Sequence, residues 1–152
     1  MRETACPLCQ SDPATVVWED ARLRVLVAWV DGVGDVLRVV WRNHVAEMTD
    51  LSPADRQHLL DAVLAVEGVL RLLLNPLKIN VASLGNQVPH LHWHVIARHA
   101  DDAFFPDSIW SAPHRTGIAR RLDQDALVLA LRTHLAGAQT AESVAGGDGP
   151  PA

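Results

Sequence analysis

His90, His92 and His94 alternate with single apolar residues, and this run constrains the fold more than any other feature of the chain. Because successive side chains of a β-strand point to opposite faces of its sheet, the alternation predicts a strand with three imidazoles on one face and apolar side chains on the other. The alternative is that the three histidines form an ordinary polar strand face in contact with solvent. The pattern predicts proton-carrying, nucleophilic side chains on a rigid sheet.

The rest of the chain predicts an antiparallel sheet with helices packed on it. Four segments are dense in β-branched or apolar residues and predict strands: 15–18, 22–30, 35–41 and 78–82. Ser52, Pro53 and Asp55 supply an N-cap, a proline at the first helical position and a carboxylate in the first turn. Apolar residues at helical spacing follow, which predicts a long amphipathic helix over 53–74. The predicted fold class is α+β, with one long helix and a shorter C-terminal helix.

Length and composition predict one domain. With 152 residues and 49% hydrophobic residues, the chain can bury one core. We expect a domain over residues 1–121, a C-terminal helix over 122–135 and a disordered tail over 136–152, because the tail is rich in small residues without periodicity.

Charge and hydropathy exclude several partners. A net charge of −5 argues against binding a nucleic acid polymer, although a small phosphate pocket needs only local donors. No apolar window is long enough to span a membrane, and the first residues lack the features of a secretory signal. We therefore expect a cytoplasmic protein with no membrane partner.

Two further features suggest ligands. Cys6 and Cys9 form a C-x-x-C pair, which is typical of half a zinc site, although a free thiol pair and a redox pair remain alternatives. A polar loop before the histidines contains Asn86 and Gln87, whose carboxamides can face an anion, although a plain hairpin loop has the same composition.

The histidine run resembles the signature of the histidine triad (HIT) family, His-φ-His-φ-His-φ-φ with φ apolar, in all seven positions. The resemblance extends from about Cys6 to Arg98, and residues 41–44 stand where the family usually has Pro-Lys-x-His. The segment 105–110 resembles the corresponding segment of a bacterial branch of the family that is loosely labelled as diadenosine polyphosphate hydrolases. The resemblance implies a HIT-like fold.

The resemblance also implies an activity. Family members are homodimers that bind a nucleotide derivative and cleave it at the α-phosphate through a nucleotidyl-histidine intermediate, so this chain would be a hydrolase or transferase. By the same likeness, His92 is the nucleophile and His94 donates to the phosphate oxygens or the leaving group. Asn80, Asn86 and Gln87 would stabilise the transferring phosphoryl group. Dinucleoside polyphosphates, nucleoside phosphoramidates and aminoacyl adenylates remain open as substrates.

His90 has two possible roles under this resemblance. Some family members with an N-terminal Cys-x-x-Cys complete a zinc site with the first triad histidine and the histidine after the Pro-Lys-like turn. Here that set is Cys6, Cys9, His44 and His90, a closed structural site with no organic cofactor implied. Otherwise His90 binds substrate beside the other two histidines.

Departures from the family pattern and rival functions bear on the activity. Asp35 and Val36 stand where members that hydrolyse small nucleotides often have Gly-His, and the loop Gly85-Asn86-Gln87 replaces Gly-Gln-Ser or Gly-Gln-Thr. One rival is a metal-dependent hydrolase that binds its ion through the three histidines, although imidazoles spaced about 6–7 Å along a flat strand rarely converge on one ion. The other rival is a non-catalytic nucleotide-binding or interaction protein.

Overall fold

A single antiparallel sheet of five strands organises the molecule, in the spatial order β1-β2-β3-β5-β4. The structure is a computed structural model that describes residues 5–10, 12 and 15–144. The strands are β1 (Val16–Glu19), β2 (Leu23–Val30), β3 (Gly34–Trp41), β4 (Lys78–Ala82) and β5 (His92–Arg98), and the helices are α1 (Pro53–Leu74) and α2 (Gln124–Val144). The predicted α+β class is confirmed.

A meander of β1, β2 and β3 forms one side of the sheet. β2 and β3 pair along their full length, from Leu23 opposite Trp41 to Val30 opposite Gly34. Gly34 has φ +108°, and a Cβ there would lie 2.0 Å from the carbonyl oxygen of Arg120. Glycine is needed at this position because the backbone of Arg120 pairs directly with the start of β3 in a parallel bridge.

The long helix α1 has the predicted bounds. The Ser52 side chain accepts a hydrogen bond from the Asp55 backbone N–H, and Asn75 ends the helix in the left-handed conformation. One face of α1 is fully buried against β3, β5 and α2, and Leu59, Val66 and Leu70 have no exposed surface. This core lies on the opposite side of β5 from the histidines.

The predicted bounds of β1, β2 and β3 hold to within one residue, and the C-terminal helix begins at Gln124 and not at 122. Two other predicted boundaries were wrong. β5 begins at His92, so His90 lies before the strand: its N–H donates to the Val88 carbonyl in a turn and does not join the ladder with β3. The C-terminal helix was expected to end at 135 but continues to 144, because the alanines of this segment favour helix strongly enough to outweigh Gly137. The remainder of the expected tail, 145–152, lies outside the described residues.

The irregular segment between β5 and α2 is fixed by a buried ion pair. Arg98, at the end of β5, donates from Nε and an amino group to both carboxylate oxygens of Asp102, at 2.8 and 3.0 Å. Arg98 also donates to the Asp107 carbonyl at 2.8 Å, which fixes the segment that carries Trp110. Within the described part of the chain, neither helix is apolar enough over a sufficient length to cross a bilayer.

Candidate functional site

His92 and His94 lie side by side on β5, on the face of the sheet away from the core. Their ring centroids are 4.8 Å apart, and both side chains are buried. The apolar residues between and after them, Trp93 and Val95, contact the core on the other face, as the alternation predicted. Opposite them on β3, Val40 pairs with His92 and Arg38 pairs with His94.

A backbone carbonyl fixes the tautomer of His92. Nδ1 of His92 lies 2.5 Å from the carbonyl oxygen of His90, which can only accept a hydrogen bond. Nδ1 therefore carries the proton, and Nε2 of the neutral ring keeps a lone pair. Burial and then the positive charge of Arg38 lower the pKa of His92, although the hydrogen bond to His90 opposes this. The neutral ring is the nucleophilic form.

His94 is more strongly held in the neutral form. Burial, followed by the charges of His92 and Arg38, lowers its pKa to about 4, against a hydrogen bond with the Leu84 backbone. Its Nε2 is buried and has no hydrogen-bond partner among the described residues. The ring of Trp110 packs edge-on against His94, with centroids 5.0 Å apart. His94 therefore has one ring nitrogen available to a ligand.

A cavity of about 350 Å³ opens over the two histidines. Asn86 and Gln87 line it, as the loop composition suggested, and so do Pro7 and Leu8 of the N-terminal turn. Arg38 and Trp110 also line the cavity, and neither was predicted from the sequence as a site residue. Arg38 could have been identified from the sequence because it is a charged residue within the mainly apolar run 35–41.

Asn80 lies away from this cavity. Its carboxamide oxygen accepts a hydrogen bond of 2.7 Å from Arg98, and the residue lines a neighbouring groove that shares Trp110 with the histidine cavity. The structure thus brings Asn86 and Gln87 together with the histidines but places Asn80 in the buried polar network.

The position where the family often has a further histidine is apolar here. Val36 is fully buried beside Val33 and Ile96. The carboxylate of Asp35 accepts a hydrogen bond of 2.9 Å from the Leu122 backbone and so anchors the C-terminal segment.

A second cluster joins the four residues Cys6, Cys9, His44 and His90. Nδ1 of His90 lies 3.4 Å from the sulfur atoms of Cys6 and Cys9, and Nδ1 of His44 lies 3.5 Å from Cys9. All four ligand atoms fall within 4.8 Å of one another. Tetrahedral zinc with bonds of about 2.3 Å to sulfur and about 2.0–2.1 Å to nitrogen separates S from N by roughly 3.5 Å. The donor set and its spacing fit zinc.

The surroundings of the cluster orient its ligands. Nε2 of His90 donates to the Trp41 carbonyl at 2.6 Å, which leaves Nδ1 free of a proton and available to a metal. The N–H of Cys9 closes a turn onto the Cys6 carbonyl at 3.1 Å, and Arg24 donates to the Leu8 carbonyl at 2.6 Å. The side chain of His90 thus belongs to the thiol cluster and does not line the cavity over His92 and His94, although it lines a smaller cavity beside His92.

Comparison with known proteins identifies the family. The sequence profile of the HIT domain matches residues 10–101. The chain belongs to the HIT domain family. Its fold is similar to that of a histidine triad protein from Bradyrhizobium japonicum, at 29% identity and a TM-score of 0.64 over 79% of this chain and 89% of that one. A histidine triad protein from Marinobacter aquaeolei is similar at 27% identity and a TM-score of 0.62, over 80% and 88% of the two chains.

A more distant HIT structure, a Zn-bound histidine triad family protein from Mycobacterium smegmatis, shares the fold at 20% identity and a TM-score of 0.56, over 90% of this chain and 97% of that one. No curated protein is significantly similar to this chain in sequence. Membership of the HIT family suggests nucleotide binding, or hydrolase or transferase activity on nucleotides.

Proposed function

We propose that this HIT protein is a homodimeric nucleotide hydrolase or transferase that cleaves its substrate at the α-phosphate through a nucleotidyl intermediate on His92. One observation carries the proposal: the Nδ1 proton of His92 is held by the His90 carbonyl, at the floor of a cavity large enough for a nucleotide phosphate group. A ring fixed in this tautomer presents its Nε2 lone pair without needing a base to remove a proton.

The first step forms one bond and breaks another. The Nε2 lone pair of His92 attacks the α-phosphorus, and the bond from phosphorus to the leaving group breaks with its electron pair on the leaving atom. The His90 carbonyl stabilises the positive charge that develops on the His92 ring. In the second step a water molecule, or another acceptor, attacks phosphorus and loses its proton to His94. The bond from phosphorus to nitrogen breaks with its electron pair on Nε2 of His92, which releases the nucleotide and frees His92.

His94 supplies a proton to the leaving group. Its low pKa keeps it neutral in the free protein, but a bound phosphate places negative charge beside the ring and favours the protonated form. Nε2, which has no partner among the described residues, then donates to the leaving atom. Asn86 and Gln87 on the rim of the cavity contribute neutral donors to the phosphoryl oxygens. Asn80 supports the site through Arg98.

The thiol cluster is proposed as a structural zinc site held by Cys6, Cys9, His44 and His90. When bound, zinc would cross-link the N-terminal turn to the residues around β5 and would leave no open position for catalysis. The cluster fits this role because His90 joins both parts: its ring faces the thiols and its carbonyl fixes His92.

Two rival functions have less support. A metal-dependent hydrolase would need the three triad histidines to converge, yet the His90 ring faces the thiols and the other two face the cavity. Within the part of the chain that the structure describes, the thiol cluster is the single group with metal-ligand spacing. If the experiment below detects no turnover, the protein would instead be a non-catalytic nucleotide-binding protein. The likeness of residues 105–110 to the diadenosine polyphosphate hydrolase branch favours a dinucleoside polyphosphate.

The test is turnover of a panel of adenylated and guanylated compounds, scored as release of nucleoside monophosphate. We expect the wild-type protein to accumulate a nucleotide adduct on His92, detected by mass spectrometry without acid treatment. His92→Ala removes the nucleophile and should lower kcat/KM at least about a thousandfold, which corresponds to about 4 kcal/mol of barrier. His114→Ala, an exposed histidine outside the cavity, is the matched control. Near-normal turnover by His92→Ala would overturn the mechanism.

A further inference from the structure

Arg38 pairs with no carboxylate among the described residues. Two other arginine side chains pair closely with acids: Arg98 with Asp102 at 2.8 Å, and Arg120 with Asp101 at 2.9 Å. Arg38 is half-buried on β3, and its Nε is buried without a hydrogen-bond partner among the described residues. A guanidinium left in this state costs free energy unless a ligand supplies the missing acceptor.

In the described part of the chain, no negative side chain lines the cavity that contains Arg38. Its ten lining residues include Arg38, His92 and His94 but neither aspartate nor glutamate. This contrasts with the chain as a whole, whose net charge is −5. Burial of the guanidinium lowers the pKa of Arg38 from its ordinary value. An arginine with such a high ordinary pKa still stays charged, so the cavity attracts an anion.

The register of the sheet places Arg38 on the leaving-group side of the reaction. On β3, Val40 lies opposite His92, and Arg38 lies opposite His94. Residues opposite each other in an antiparallel pair have Cβ atoms about 4.5–5.5 Å apart and share a face. The guanidinium therefore stands beside the histidine that donates to the leaving atom, and a short apolar side chain stands beside the nucleophile.

We propose that Arg38 is the residue that selects substrates with an anionic leaving group, specifically the phosphate chain of a nucleoside or dinucleoside polyphosphate. This inference rests on the proposed function and assigns its substrate class. As the bond from the α-phosphorus to the bridging oxygen breaks, its electron pair stays on that oxygen, where negative charge develops until His94 transfers its proton to it. Arg38 stabilises the developing charge and binds the charged oxygens that the departing phosphate chain retains.

The alternative leaving groups differ in charge. A nucleoside phosphoramidate releases an amine, which gains nothing from a guanidinium. An acyl adenylate releases a carboxylate, which is an anion of lower charge than a phosphate chain. Comparing the three substrates therefore separates an anionic from an uncharged leaving group, and a phosphate chain from a carboxylate.

The experiment measures kcat/KM for diadenosine tetraphosphate, adenosine 5′-phosphoramidate and acetyl adenylate with the wild-type protein, Arg38→Met and Arg38→Lys. The readout is the ratio of kcat/KM for the tetraphosphate to kcat/KM for the phosphoramidate. We expect Arg38→Met to lower this ratio about tenfold to a hundredfold, since a hydrogen bond to a charged group is lost. Arg38→Lys should restore part of the ratio because it keeps the charge. Arg132→Met, an exposed arginine on α2, should leave the ratio unchanged.

Binding of inorganic triphosphate gives a second readout that does not depend on turnover. By calorimetry, the wild-type protein should bind it at least about tenfold more tightly than Arg38→Met. Equal ratios and equal triphosphate affinities in the two proteins would overturn the role of Arg38. A larger loss on acetyl adenylate than on the tetraphosphate would overturn the phosphate-chain assignment. Failure of all three substrates with the wild-type protein would refute the proposed function, while the triphosphate measurement would still decide whether Arg38 binds the anion.

Discussion

The three histidines of the triad have different environments, although the sequence presents them as equivalent. His90 uses its ring for the thiol cluster and its carbonyl to hold His92. His92 has its proton fixed on Nδ1, and the buried Nε2 of His94 has no hydrogen-bond partner in the described part of the chain. Local sequence predicted where these residues lie because alternation in a strand is a local property. It could not predict the tautomers, which depend on carbonyls brought close by tertiary packing.

Arg38 and Trp110 show what the sequence could not predict at this scale. Arg38 reaches the cavity only because β3 pairs with β5 in a register that sets it opposite His94. Trp110 reaches the cavity because the Arg98–Asp102 pair fixes an irregular segment. Both placements depend on contacts between residues distant in the chain, which periodicity does not specify.

The low pKa of His94 predicts a pH dependence of stability. As pH falls from about 6.5 to about 4, the unfolded chain binds a proton at this residue and the folded protein does not, so the free energy of unfolding decreases. The loss is fully developed below pH 4 and amounts to about 3 kcal/mol at most. His94→Asn should therefore show a smaller decrease over this range than the wild type, as measured by urea unfolding at several pH values.

The control for this experiment is His134→Asn, because His134 is exposed on α2 outside the cavity and its Nδ1 donates to the Ala130 carbonyl of the same helix. It should retain the wild-type dependence. If His94→Asn and the wild type lose the same free energy of unfolding between pH 6.5 and 4.5, the ring of His94 is not held neutral by the fold.

Secondary structure elements were predicted best where their signals are local. α1 and β4 have the predicted bounds because a capped amphipathic helix and a short β-branched run between turn residues carry their own start and stop signals. The start of β5 was missed because His90 bonds to a turn, which alternation does not reveal. The end of α2 was missed because a bias toward small residues indicated disorder where alanine favours helix.

The N-terminal turn is the element that we expect to depend on zinc. Cys6→Ser should lose the metal, lower Tm and raise KM, because Pro7 and Leu8 form part of the cavity wall. At free zinc a hundredfold above Kd, binding contributes about 2.7 kcal/mol, which corresponds to a Tm decrease of roughly 5–10 °C for a chain of this size. Metal analysis and thermal unfolding measure both effects, and the adduct on His92 should still form at a reduced rate.

His44→Asn should also weaken zinc binding, whereas His134→Asn, an exposed histidine on α2, should not. Protein purified without chelator that contains no zinc, together with a Cys6→Ser variant as stable as the wild type, would contradict the structural zinc site. Cys6 and Cys9 would then have no metal-binding role.

At the scale of the whole molecule, the sheet ends on an open edge. β4 is the last strand in the order, and none of the described strands pairs with its outer edge. Val81 on this strand and Leu77 beside it are exposed, at 37% and 67%. Edge strands with apolar side chains pair readily with another strand, and a second copy of the same chain provides an identical edge related by two-fold symmetry.

This arrangement predicts a homodimer that joins two β4 strands. Sedimentation at micromolar concentration should give twice the chain mass of 16.6 kDa. Val81→Glu places a charge at the edge and should raise the dimer dissociation constant at least about tenfold, or about 1.4 kcal/mol. Leu129→Glu is the matched control, because Leu129 is 68% exposed on α2, away from this edge. A wild-type protein that sediments as a monomer would contradict the predicted dimer. Equal dissociation constants for the two variants would show that the dimer interface does not include β4.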